Sequence, residues 1–346
     1  MTRALRLGLH TGLWTSGPPA GAPEAIAAAD ALGLDSIWTA EAYGSDGLTP
    51  LAWWGPATRR IRLGTGIAQL SARQPTATAM AAMTLDHLSG GRFVLGVGVS
   101  GPQVVEGWYG MPFAKPLART REYLGIVRDV WAREGPVAND GPAYPLPLPG
   151  GTGLGKPLKS SLRPLRRDIP IYLGAEGPKN VALAAELCDG WFAMLFAPGH
   201  ERLYRDALEE GFARPDARRS LDDFEICATV PFVVDDDVER AVDSLRPYYA
   251  LYFGGMGAKG RNFHADVAIR MGYEAMVREV ADLYLAGRKD EAGAAIPRRL
   301  IEQLALVGPP DKIRHDLEAW RESIVTTLLI SGDAATVRTA AELVLG

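Results

Sequence analysis

The feature that most constrains this chain is an alternation. Short apolar runs at residues 5–9, 36–39, 61–67, 93–97, 169–173, 190–196, 224–234 and 325–330 are separated by stretches of helical character. Those stretches are 23–32 (rich in Ala and ended by Gly33), 49–58 (with Pro50 near its first turn), 75–88 (closed by Gly90-Gly91), 117–133, 178–187, 199–212, most of 236–306, and 334–345. The runs are continuously apolar, as strands buried on both faces are. Strand-then-helix repetition implies a parallel sheet. Eight such units imply closure into a (β/α)8 TIM barrel rather than an open sheet. The chain has 346 residues, more than the ~250 of a plain barrel. The surplus falls in two places. Residues near 135–168 form an irregular insertion loaded with Pro and Gly, and residues near 236–306 form a helical insertion broken at Gly254-Gly255 and Arg261-Asn262. One barrel domain over 1–346 is the expected organisation.

Composition removes several classes of function. Lys and Arg number 37 against 41 Asp and Glu, a formal charge of −4, so no basic field exists to hold nucleic acid. The two cysteines, Cys188 and Cys227, make no disulfide framework and suit a reducing compartment. No apolar run reaches the ~18 residues of a membrane span, and the first residues lack a signal-like apolar stretch, so a cytoplasmic location without membrane partners is expected. The five histidines, His10, His87, His200, His264 and His315, include no H-x-H or H-x-x-x-H pair, which argues against a metal site. No G-x-S-x-G elbow is present.

Two motifs invite over-reading. Gly96-Val-Gly98-Val-Ser-Gly101 spells G-x-G-x-x-G, but Pro102 follows it and the acidic residue a dinucleotide site needs about 20 positions later is absent. A tight loop at a strand end, where glycine lets backbone approach a ligand, is the plainer reading. Residues 150–157 nearly spell a P-loop, but Pro157 replaces the Ser or Thr that binds Mg²⁺ and no buried strand precedes it. That segment reads as a mobile loop made locally basic by Lys156, Lys159, Arg163, Arg166 and Arg167.

In a barrel, chemistry is sought at the C-terminal ends of the strands. His10 and Thr11 close the first run; Glu41 and Tyr43 follow the second. Glu41 reads equally as a functional carboxylate or a salt-bridged one. Gly174-Ala175-Glu176-Gly177 joins the fifth run to a helix opened by Pro178, which makes either an anion cradle or an ordinary turn. Trp14, Trp53, Trp54, Trp108 and Tyr109 are candidates for an apolar pocket around a flat ligand. Cys188 and His87 read as structural.

The chain resembles the luciferase-like monooxygenase superfamily, on its F420-dependent oxidoreductase branch. The similarity rests on residues 36–43 (SIWTAEAY), 63–67 (LGTGI), 75–93 (PTATAMAAMTLDHLSGGRF), 169–175 (IPIYLGA), 307–313 (VGPPDKI) and 325–330 (VTTLLI). It implies a barrel, usually dimeric, that binds coenzyme F420 at its mouth. It places a non-prolyl cis peptide at Gly66–Ile67 beneath the deazaflavin ring. It places cofactor-facing loops at Ser100, Gly101 and Val104 and at Gly174, Ala175, Glu176 and Gly177, the latter toward the cofactor phosphate. Glu41 matches the family's acidic residue, but Ala42 stands where relatives of this branch carry a histidine. Proton transfer is therefore expected from His10, Glu41, Tyr43 or solvent. The functional expectation is hydride transfer between reduced F420 and a small organic substrate. Two alternatives stand beside it: an FMN-dependent monooxygenase of the same superfamily, and a barrel that binds F420 without turning it over.

Overall fold

The computed structural model describes residues 4–257 and 262–346. The break expected at Arg261 lies outside the described residues. The strands are β1 (Arg6–His10), β2 (Ser36–Thr39), β3 (Arg62–Thr65), β4 (Ala68–Gln69), β5 (Phe93–Gly98), β6 (Ile171–Gly174), β7 (Gly190–Ala193), β8 (Glu225–Thr229), β9 (Phe232–Val234), β10 (Leu306–Gly308) and β11 (Thr327–Ile330). Pairing runs β3-β2-β1-β11-β8-β7-β6-β5, and β5 pairs back with β3, all parallel, so eight staves close a (β/α)8 barrel. The helices lie outside it. Ala22–Leu32 shows why they begin and end where they do: proline sits in its first turn, and Gly33, at φ 81°, donates its N–H to the Ala29 carbonyl in a left-handed cap.

Inside the barrel, Trp38, Val94, Tyr172, Phe192, Cys227 and Leu329 form a buried layer, with Ile67 packed on it. Trp38 meets Phe192 edge-on at a ring separation of 4.7 Å. Glycine makes the room. A Cβ on Gly64 would fall 2.1 Å from the Trp38 ring, and one on Gly96 would fall 1.9 Å from the Thr65 carbonyl oxygen. The G-x-G of residues 96–98 is thus a packing requirement of the barrel interior.

Several sequence expectations are corrected in detail. The third run, expected over 61–67, ends as a strand at Thr65; the Gly66–Ile67 peptide bond is cis, and a separate strand β4 follows at Ala68–Gln69. The run at 224–234 also splits. β8 belongs to the barrel, while β9 leaves it to pair with β10 beside the helical insertion. Gly101 opens a helix of six residues, Pro102–Gly107, rather than a plain loop. The Pro/Gly-rich insertion has no helix; its regular pairing is limited to the bridges Val137–Leu158 and Asn139–Leu146. It is tied to the barrel by arginines and a histidine. Arg166 bonds the buried Asp86 carboxylate and the Phe93 carbonyl, and His87 Nε2 meets the Arg163 carbonyl at 2.8 Å. The basic side chain of Arg166 is therefore committed to structure.

The second insertion comprises helices Val238–Ala250, Phe263–Arg270, Glu274–Leu285, Lys289–Ala294 and Arg298–Leu304, with a π-turn at Leu251–Gly255. It has its own apolar core, built on Tyr249, Phe253, Val280 and Leu300 and reaching Leu195 and Ala197 just beyond β7. Gly254 and Gly255 sit at the π-turn because Cβ atoms there would each come 2.6 Å from Tyr284. No described helix is long and apolar enough to cross a membrane.

Candidate active site

The C-terminal ends of the strands bring together most of the residues singled out above. His10, at the end of β1, has both ring nitrogens engaged. Nδ1 accepts the Gly12 N–H at 3.0 Å, so Nε2 carries the proton and donates to the Gly66 carbonyl at 2.9 Å. Burial pushes its pKa below the usual histidine value, outweighing the Gly66 bond that favours the charged form. His10 is a neutral imidazole that fixes the Gly66 carbonyl. Thr11 is likewise committed, its hydroxyl donating to the Trp38 carbonyl.

The cis bond is held from both sides. Gly66 N–H donates to Thr39 O at 2.7 Å, and Glu41 N–H donates to Ile67 O at 3.2 Å. Ile67 then lies against strand ends without side chains. A Cβ on Gly98 would come 2.7 Å from Ile67 Cδ1, and one on Gly174 would come 3.2 Å from Cγ2. The floor of the mouth is therefore one aliphatic side chain framed by bare backbone.

Glu41 follows the salt-bridge alternative. Its carboxylate is only 7% exposed as a residue, accepts from Arg73 Nη1 at 2.7 and 2.9 Å, and accepts the Gln69 N–H at 2.8 Å. Three hydrogen bonds hold it in a salt-bridged, anchoring role. Arg73 and Gln69 escaped sequence reading; a lone Arg before a proline-opened helix carries no pattern. Gln69 donates through Nε2 to the Glu41 carbonyl, yet its buried Oε1 has no partner. Thr229 Oγ1, at the end of β8, is a second buried oxygen without a partner. Tyr43 stands 61% exposed at the rim. The Ala42 carbonyl accepts the Tyr109 hydroxyl at 3.2 Å, which holds that loop without any side chain at position 42.

The other two loops lie on β5 and β6. Ser100 adopts a left-handed φ of 59°, and the Gly101 carbonyl receives the N–H groups of Val104 and Val105. The Val104 carbonyl in turn receives those of Trp108 and Tyr109. In the 174–177 loop, Trp191 Nε1 donates to Ala175 O at 2.7 Å, and Gly177 is the extended N-cap of Pro178–Leu187. Glu176 is bonded at 2.5 Å to Nδ1 of His264, and its carbonyl accepts from Arg270 at 2.8 Å. His264 in turn meets the Tyr252 ring edge-on at 4.9 Å. These partners come from the helical insertion, 88 positions along the chain in the case of His264; no local spacing could have found them.

The tryptophans divide. Trp14 and Trp54 pack on each other at 5.8 Å, whereas Trp53 and Trp108 are 80% and 66% exposed. Beside the Glu41–Arg73 pair lies a cavity of about 140 Å³, lined by residues including Arg73, Gln74, Arg119 and Tyr144. Both cysteines are buried and free, with thiol pKa values pushed up by burial, Cys188 to about 12. No cluster of metal-ligating side chains occurs among the described residues. The mouth thus offers a shelf of backbone at 66–67, 98–101 and 174–177, two unpaired oxygens and one carboxylate–imidazole pair. That inventory suits holding a flat organic group.

Comparison with known proteins gives consistent matches. The family model described as luciferase-like monooxygenase matches residues 5–327. A Mycobacterium tuberculosis protein carrying the provisional name coenzyme F420-dependent oxidoreductase is 57% identical over 99% of this chain and 100% of its own. The 5,10-methylenetetrahydromethanopterin reductase of Archaeoglobus fulgidus is 28% identical over 86% of this chain and 85% of its own. The solved structure of the coenzyme F420-dependent tetrahydromethanopterin reductase of Methanopyrus kandleri superposes with a TM-score of 0.81 at 22% identity, covering 100% of this chain and 99% of that one.

Proposed function

Because the chain belongs to the luciferase-like monooxygenase family, we propose that it is an oxidoreductase that uses coenzyme F420 to reduce a small organic substrate. The observation that carries this reading is end-to-end similarity: 57% identity over 99% of the chain to a protein named for F420 dependence.

The residues at the mouth fit such a group. A deazaflavin is a planar ring with an imide N–H and a hydroxylated, phosphorylated side chain. Ile67, bounded by Gly98 and Gly174, offers the ring an apolar seat that a Cβ on either glycine would crowd. Gln69 Oε1 and Thr229 Oγ1 are buried acceptors awaiting a donor, and an N–H or hydroxyl that met them would relieve the cost of leaving them unpaired. Ser100, Gly101 and Val104 would flank the ring, and the 174–177 loop would face the phosphate end. Bound in its reduced form, the coenzyme supplies a hydride. The chain's own share is to bind, orient and keep water out. His10 fixes the Gly66 carbonyl, Arg73 fixes Glu41, and Glu41 through the Gln69 N–H fixes β4.

Titration of the apo-protein with F420 and, separately, with FMN, followed by tryptophan fluorescence, tests the reading. Tight F420 binding with weak FMN binding is the expected result. A preference for FMN would move the protein to the oxygen-using members of the family, where oxygen uptake with reduced FMN is the next assay. Binding of neither would withdraw the cofactor assignment.

A further inference from the structure

The charge of the Pro/Gly-rich insertion is unlike that of the rest of the surface. Residues 141–167 contain no Asp or Glu and five Lys or Arg, in a chain whose formal charge is −4. Arg166 is paired with Asp86, and the adjoining Asp168 is held by Arg128 and Arg218. Among the described residues, Lys156, Lys159, Arg163 and Arg167 form no ion pair; Lys159 donates to the Glu134 carbonyl at 3.2 Å. Arg214, Arg240, Arg278 and Arg288, exposed elsewhere, each pair with a carboxylate close by in sequence: Glu210, Asp235, Glu274 and Glu291. The four cations of the insertion are thus set apart from the acidic remainder of the chain.

The same segment exposes leucine. Every residue from 147 to 159 is exposed, and Leu148, Leu154, Leu158, Leu162 and Leu165 stand between 39% and 86% exposed. A single exposed leucine needs no explanation, but a set of them interleaved with unpaired cations marks an interaction surface. The backbone beneath is fixed. Val137 bridges Leu158, Asn139 bridges Leu146, and Arg133 Nε donates to the Ser160 carbonyl at 2.9 Å. A Cβ on Gly91 would come 3.7 Å from Leu165 Cδ2, so Leu165 lies just past Leu88, itself 73% exposed, and the end of helix Pro75–Leu88 extends the apolar surface. Arg166 bonds the carbonyl of Phe93, the first residue of β5. The 163–167 end of the segment therefore lies at the strand starts, opposite the mouth.

We propose that residues 148–167 form a docking surface for an anionic lipid bilayer. Such docking does not depend on which cofactor the barrel holds. Lysine and arginine are drawn to an anionic leaflet, and their long stems keep the charge at headgroup level while neighbouring leucines enter the boundary beneath. A bilayer takes scattered leucines and cations together and demands no matching shape, which suits an irregular, exposed segment. Attraction to an acidic protein accounts for the cations and not for the leucines. A second copy docked face to face covers the leucines but sets four cations against four. Peripheral docking needs no spanning helix; the expectation of no membrane partner rested on spans and targeting segments, which this contact does not use. Because the 163–167 end lies opposite the mouth, docking there leaves the mouth open to solvent.

The test is co-sedimentation of the full chain with vesicles of phosphatidylcholine alone or with about 30% phosphatidylglycerol, at about 0.1 M and about 0.5 M salt. Binding to the anionic vesicles at low salt, with loss at high salt and on neutral vesicles, is expected. Joint replacement Lys156→Gln, Lys159→Gln, Arg163→Gln and Arg167→Gln should weaken binding about 100-fold or more, since each cation near an anionic surface contributes about fivefold. Leu154→Ser with Leu158→Ser should weaken it about tenfold. Thermal midpoints check that these variants fold. A Leu154→Cys protein carrying an environment-sensitive fluorophore keeps the native cations, and Cys188 and Cys227 are buried, so the label reports position 154; its emission should shift to the blue on anionic vesicles alone. Failure to bind anionic vesicles, equal binding to neutral ones, binding indifferent to both sets of substitutions, or an unshifted label each overturns the proposal. Retention on immobilised polyglutamate without vesicle binding would assign the cations to an acidic protein. A dimer that the leucine substitutions convert to monomer, read by light scattering, would make the surface a contact between copies. Either result overturns the lipid assignment.

Discussion

At the N-terminal end of the barrel, Arg6, Asp35, Arg62 and Glu225 converge from four strand starts in one ion-pair network. Arg62 holds Asp35, bonds both oxygens of Glu225 at 3.1 and 2.9 Å, and reaches the Tyr172 hydroxyl at 3.1 Å, while Arg6 takes Glu225 at 2.7 Å. At the C-terminal end, the charged and polar groups form two separate pairs, Glu41–Arg73 and Glu176–His264, and otherwise bond backbone or bond nothing. His10 holds a carbonyl, Glu41 holds an N–H beside its arginine, and Gln69 Oε1 and Thr229 Oγ1 are unpaired. Similar side chains thus knit one end into a single four-member network and stand at the other as separate pairs beside unpaired oxygens. The network at the strand starts stabilises without regard to ligand; the unpaired oxygens at the mouth are groups a ligand can satisfy. This is the division of labour that barrels show between their two faces.

The contrast breaks first, if it is wrong, at Arg62. Arg62→Ala leaves two partly buried carboxylates without their main partner and should cost about 3–4 kcal/mol, read as a fall in the urea midpoint. The folded protein should still bind F420 with wild-type affinity. Lost affinity would show that the two ends are coupled.

Acid gives the next largest effect. Burial tends to raise the Glu225 pKa, but Arg62 and Arg6 outweigh it and hold it down from 4.5 to about 2. A depressed carboxylate pKa adds stability that is full above the unfolded value and fades as pH falls from about 4.5 toward 2. The slope should amount to about 3 kcal/mol across that window. Glu225→Gln should flatten it in acid unfolding curves, while Glu41→Gln at the mouth should leave it in place.

At the mouth, Arg73→Ala should cost about 2 kcal/mol of stability, less than Arg62→Ala because Glu41 keeps the Gln69 N–H. It should weaken F420 binding about tenfold by loosening β4, checked by the same fluorescence titration; retained affinity would detach Arg73 from the site. Gly98→Ala presses on Ile67, a side chain able to shift, and should cost about 1 kcal/mol of stability with a larger relative loss of cofactor affinity. The smallest effect is expected at Trp53, 80% exposed. Trp53→Ala should change stability by less than about 0.5 kcal/mol and leave binding alone, which would close the question of an aromatic pocket there.

Much of the fold was legible because a barrel writes itself locally. Each stave is a short apolar run, many of the helices have proline or glycine punctuation, and neither depends on distant partners. The places where reading failed are places where the chain bends away from its own pattern. The apolar run 61–67 contains nothing that announces the end of β3 at Thr65. The run 224–234 gives no sign that β9 departs to pair with β10, more than 70 residues on. The G-x-G at 96–98 was identifiable as something other than a nucleotide motif, but its cause, the proximity of Thr65, Phe192 and Ile67, is an interior contact.

The candidate site divides along the same line. Sequence determined that His10, Glu41, the 100–104 loop and the 174–177 loop stand at strand ends, because strand ends follow from periodicity, while Gly66 was marked by the family resemblance alone. It also determined that position 42 offers no imidazole. Only the tertiary structure decided what each group is free to do. Arg73 turned Glu41 into a structural anion, Gly12 and Gly66 used up His10, and His264 arrived at Glu176 from an insertion 88 positions away. The reason is physical. A residue's position along a strand is set by local geometry, whereas its hydrogen bonds, burial and charge state depend on neighbours that only closure of the barrel brings within reach.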